Sequence, residues 1–147
     1  MANQLDRKIT LMKFHYVCFA LSSFLVGGWM AVDPGGFWGL FGLEIGEPII
    51  PTVYGSAIIG EGVVCWFGVK RPLRFIPILY YMVAYKLAVC IVLVPKLLQM
   101  DDAPLAGWLI IAAWGSVIVM CGIILPWGRG REVAERLAAE VDRPFLP

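Results

Sequence analysis

Four apolar runs, each about as long as a bilayer is thick, constrain this chain more than any other feature. They are 11-LMKFHYVCFALSSFLVGGWMAV-32, 52-TVYGSAIIGEGVVCWFGV-69, 73-LRFIPILYYMVAYKLAVCIVLV-94 and 105-LAGWLIIAAWGSVIVMCGIIL-125. A helix needs about 20 apolar residues to cross ~30 Å of hydrocarbon. A soluble domain of 147 residues could not hide all four. The composition agrees, with 60% hydrophobic and 16% charged residues, where roughly 45–50% and about 25% are usual. The prediction is an all-α fold: an integral membrane four-helix bundle over 1–128, then a short cytoplasmic amphipathic tail helix within 129–147. The spans fall at about 11–32, 52–69, 73–95 and 105–126. Proline supports these bounds. Pro51 and Pro104 sit in first turns, where their missing N–H costs nothing, and Pro95 and Pro126 follow last turns.

The first run exceeds a signal-peptide h-region and no A-x-A-like site follows it, so it is read as a retained helix. No cysteine stands near either end to take a lipid. Basic residues distribute unevenly although the net charge is only +1. Arg7, Lys8 and Lys13 precede the first span, Lys70, Arg71 and Arg74 lie between the second and third, and Arg129, Arg131, Arg136 and Arg143 follow the fourth. The positive-inside rule then places both termini in the cytoplasm. Size and compactness indicate a bacterial inner membrane.

The link 70-KRP-72 is minimal and predicts antiparallel neighbours. The link 33-DPGGFWGLFGLEIGEPIIP-51 is long, and it sets Phe37, Trp38 and Phe41 among glycines. Two readings fit it: a short amphipathic turn along the outer interface, or a cover over a cavity between the helices. In the tail, Val133, Leu137 and Val141 recur every four residues and Glu132–Arg136 is a favourable i,i+4 pair. That stripe would lie on the membrane surface or on a partner.

Two charges fall inside the apolar runs. Glu61 lies ten residues past Pro51, about 15 Å into its helix, and Lys86 lies nine before Pro95, about 13 Å in. Charges at mid-bilayer face inward and find partners, so the two are predicted to pair. Ser56 and Gly60 form a small-xxx-small step beside the glutamate, with Ser23 and Gly27 and Ala112 and Ser116 offering others. Tyr54, seven residues before Glu61, and Tyr81 and Tyr85 could complete the pair's hydrogen bonds and line a pocket.

His15 is the sole histidine. It could ligate a pigment alone, or form hydrogen bonds near headgroups. Most tryptophans fall near the ends of the spans, as an aromatic belt would; Trp114 is deep. Cys18, Cys65, Cys90 and Cys121 come one per run without CxxC or ligand spacing, which reads as packing. No P-loop, HExxH or Ser-His-Asp set is present, no motif implies a cofactor or metal, and no basic patch calls for nucleic acid.

The segments 33-DPGGFWGLFGL-43 and 53-VYGSAIIGEG-62 resemble the small four-helix DoxX-like membrane proteins. Those show a proline after helix 1, an aromatic step ending Phe–Gly–Leu, and Tyr–Gly–small opening helix 2. Thr52 and Val53 stand where that family often carries an arginine. The resemblance implies the four-helix topology and no particular activity. The leading functional expectation is a non-catalytic accessory subunit docking other membrane proteins. Its alternative is a binder, carrier or enzyme for a lipophilic small molecule such as a quinone, pigment or lipid. The two differ sterically. The alternative needs a cavity of ~300 Å³ or more beside Glu61; the subunit needs tight packing there.

Overall fold

A computed structural model describes residues 2–141. They form six helices and, among the described residues, no strand: α1 (Ala2–Val32), α2 (Pro34–Gly39), α3 (Ile49–Lys70), α4 (Ile76–Leu98), α5 (Leu105–Ile124) and α6 (Gly130–Val141). Helices α1, α3, α4 and α5 are long and apolar enough to cross a membrane. Residues 142–147, Arg143 among them, and the Val141 side chain lie outside the described residues.

Helix α1 begins well before its apolar run. Leu5 and Met12 are buried and Ile9 packs on the core, so a helical apolar stripe continues between the exposed charges of the first two turns. Helix α4 departs from expectation at both ends. Residues 72–75 form a turn, so it starts at Ile76. At the far end it runs through Pro95 to Leu98. A proline there removes one hydrogen bond to the preceding turn, and the helix continues for three residues more.

Helix α1 packs along α3, and α4 packs along α5. Glycine decides the first pairing. A Cβ on Gly55 would stand 2.7 Å from the Ala31 backbone nitrogen, so the two backbones touch. Further along, Gly62 faces Ser23 and Phe24, and Gly68 faces the Tyr16 ring. Gly55 and Gly62, seven apart, share a face. Ser56 and Gly60 do not: both are exposed, and a Cβ on Gly60 would meet nothing. The predicted step therefore belongs to another face of α3, one position round from the real interface. Ala112 and Ser116 are likewise exposed. In the second pair, Leu97 of α4 sits on Gly107 of α5.

The short 70–72 link does not make α3 and α4 close neighbours. Their backbones do not run in extended contact, because α3 is drawn onto α1. Tyr16 holds the link, its buried hydroxyl donating to the Pro72 carbonyl at 3.4 Å.

The dry core gathers at the end that carries the α1 N-terminus. Met12, Tyr16, Ala20, Cys65, Leu79, Met82, Cys121 and Ile124 form it. Helix α6 covers that end: Val133 and Leu137 pack against the core. Arg136 pairs with Asp6 at 2.8 Å, and Arg129 binds Gln4 and Glu132. The expected Glu132–Arg136 pair gives way to these contacts, and the tail stripe is taken up by its own chain. Lys8 Nζ donates to the Ile123 and Leu125 carbonyls at 3.0 and 2.7 Å. It thus shares in satisfying the C-terminal carbonyls of α5, beside the Trp127 backbone and indole N–H groups, and its positive charge suits the negative end of that helix's dipole.

Candidate functional site

The far half of the bundle is built differently. Helices α3 and α4 bring Glu61 and Lys86 together there, with Lys86 Nζ 3.7 Å from Glu61 Oε2. The lysine side chain is 5% exposed and the glutamate 23%. At 3.7 Å the contact is an ion pair longer than a hydrogen bond. Three rings surround the ammonium. Its nitrogen lies 5.2 Å from the Phe19 centroid and 5.6 Å from those of Tyr85 and Trp114. Ring faces at that distance attract a cation, more strongly when water is excluded. Four helices thus share the desolvation of one charge.

Beside the pair is a cavity of about 220 Å³, lined by all four long helices and bounded by Phe19, Ser23, Tyr54, Glu61, Lys86 and Trp114. Towards α2 stands a larger one of about 640 Å³. The two share Val26, Tyr54, Ile58, Tyr85, Ala113 and Trp114 in their walls. The two adjoining cavities are together called the recess; Glu61 and Lys86 line the smaller, and the walls are otherwise mostly apolar and aromatic. Pockets of 300–1,000 Å³ with a few convergent polar groups are the usual form of small-molecule sites.

Phe37, Trp38 and Phe41 line the larger cavity. Local chemistry holds them: Asp33 Oδ1 accepts from the Gly36 N–H at 2.9 Å, capping α2. Phe37 packs edge-on against Trp29, Trp38 and Phe41. The Trp38 indole nitrogen is buried without a hydrogen-bond partner, alone in this among the described side-chain nitrogens and oxygens. Such a group normally has an acceptor.

Tyr54 and Tyr85 line both cavities, and their side chains are hydrogen-bonded to each other. Tyr81 does not join them. It is exposed and stacks on Tyr85 with centroids 6.1 Å apart. His15 also lies apart from the recess. It is buried, with Nε2 3.6 Å from Cys121 Sγ and its ring against Phe19. That position is inside the helices and not at a surface facing headgroups. Among the described residues no cluster of histidine, cysteine and carboxylate could hold a metal.

Sequence reasoning missed Phe19 and Val26 of α1 and most of the α5 wall, and it named Ser23 for helix packing alone. Phe19 gives no signal within an apolar run. Trp114 gave one, being a tryptophan far from both ends of its span. No family model, curated protein or solved structure matches this chain.

Proposed function

We propose that this is a multi-pass membrane protein that binds a lipophilic small molecule inside its bundle. The supporting observation is the recess: a 640 Å³ cavity adjoining one of 220 Å³ at the Glu61–Lys86 pair. A purely structural ion pair favours close packing around it, since every void forfeits contacts. The cavity that Glu61 and Lys86 line, at about 220 Å³, falls short of the ~300 Å³ expected beside Glu61. The binding reading is placed ahead of the accessory-subunit reading because that space shares six wall residues with the 640 Å³ cavity. The charge asymmetry of the loops supports termini in the cytoplasm, and a bacterial inner membrane is the setting we assign. The DoxX-like resemblance remains part of the same proposal, as a statement about topology.

The test is extraction of the protein from native membranes, followed by mass spectrometry of what co-purifies. The expected result is one lipophilic compound in near-stoichiometric amount, depleted in Glu61→Gln. A well-folded preparation carrying bulk lipid alone, indistinguishable between wild type and variant, would overturn the reading.

A further inference from the structure

Resting on that reading, the walls of the recess also indicate what enters it and by which way. Of the residues that line the two cavities, the exposed ones are Ser22 and Val26 on α1 and Leu109 and Ala113 on α5. The lining residues of α3 and α4 are all partly or fully buried. Helices α1 and α5 touch near the dry core, where Lys8 reaches Leu125 and His15 meets Cys121. Little else joins them. Phe37, Trp38 and Phe41 stand at the α2 end, and the layer of Tyr16, Cys65 and Cys121 closes the other. On the α3–α4 flank, where the backbones are also apart, the half-buried side chains of Tyr54, Ile58, Tyr85 and Val89 fill the gap. The opening is therefore a slot between α1 and α5, edged by small or short side chains.

Charge defines the occupant. Glu61 and Lys86 are the charged residues that line the recess, and together they are neutral. An anionic head would face the carboxylate and a cationic head the ammonium, and like charges brought together disfavour binding. An uncharged head that accepts hydrogen bonds meets neither penalty. It can take donors from Lys86 and the tyrosine hydroxyls, which surround the same space. The rest of the wall is apolar and aromatic, suited to a hydrocarbon tail.

We infer that the ligand is an uncharged amphiphile that enters sideways from the hydrocarbon of the membrane, through the slot between α1 and α5. Its head sits at the Glu61–Lys86 pair and its tail occupies the larger cavity.

The experiment uses the full chain in nanodiscs of zwitterionic phospholipid and three probes on one brominated alkyl chain: an alcohol, a carboxylate and a trimethylammonium. Bromine quenches tryptophan on contact, and subtracting the Trp114→Phe signal isolates quenching deep in the recess. The expected result is saturable quenching by the alcohol, with half-saturation more than about tenfold higher for both ions. Ala113→Phe, which fills the slot, slows the onset severalfold, and Val26→Ala, which widens it, speeds the onset. Equal saturation by alcohol and ions overturns the charge assignment. Onset unchanged in both slot variants overturns the route, and Val26→Ala alone decides it should Ala113→Phe not fold. Absence of saturable Trp114-dependent quenching with every probe overturns the binding reading itself, a result distinct from the other two.

Discussion

Gly27 and Gly55 meet backbone to backbone: a Cβ on Gly27 would lie 2.7 Å from the Gly55 carbonyl oxygen, and one on Gly55 would lie 2.8 Å from that of Gly27. Neither obstacle is a side chain that could swing away. Gly55→Ala should therefore separate α1 from α3 and cost about 1–3 kcal/mol, as overpacking does. Gly60→Ala, on the open face of the same helix, should cost nothing, because alanine is the better helix former. Unfolding in mixed micelles compares the two directly.

Removing one member of the Glu61–Lys86 pair leaves the other without its partner. For the lysine, which is almost fully enclosed, the loss is the greater. Glu61→Gln is expected to destabilise by about 3–5 kcal/mol, the usual cost of orphaning a buried charge. Adding Lys86→Met should restore much of that, since the rings around position 86 suit an apolar side chain of similar length. The double-mutant cycle is the measurement, and strict additivity would show that the pair is not coupled.

Trp38→Phe removes an N–H that has no acceptor among the described residues. No bond is lost, so stability should hold or rise by up to about 1 kcal/mol, because an unsatisfied buried donor carries a desolvation penalty. A fall of similar size would reveal an acceptor that the indole uses.

At the other end, Arg136→Ala breaks a half-exposed bridge to Asp6, worth at most about 1 kcal/mol and less at high salt. Leu137→Asp should do more, placing a carboxylate where Leu137 packs on the core. Limited proteolysis in detergent should then cut between α5 and α6 several times faster than in wild type, while Arg136→Ala responds mildly and in a salt-dependent way.

How far the sequence predicts these features depends on the scale of the signal. Four runs of about twenty apolar residues point to four long helices, because a helix satisfies its own backbone away from water and runs of that length exceed the roughly 10 residues of a spanning strand. Glu61 and Lys86 could be matched from depth alone, since helical rise is constant. Which helices lie side by side could not. The choice between Gly55 and Ser56 as the contact residue turns on one position, a rotation of about 100°. Runs that are apolar all round carry no amphipathic stripe to settle it. The short link at 70–72 pointed to α3 and α4 as partners, whereas close glycine contact drew α3 to α1. The recess was legible only in its polar members. Its aromatic and aliphatic walls are residues that any membrane helix carries, and a void leaves no trace in a sequence.

The clasp between Asp6 and Arg136 joins positions 130 residues apart, and it bears on the order of assembly. A growing chain delivers α1 first and α6 last, so Asp6 waits until every other helix has been made before Arg136 reaches it. Until then the core at that end also lacks the packing of Val133 and Leu137.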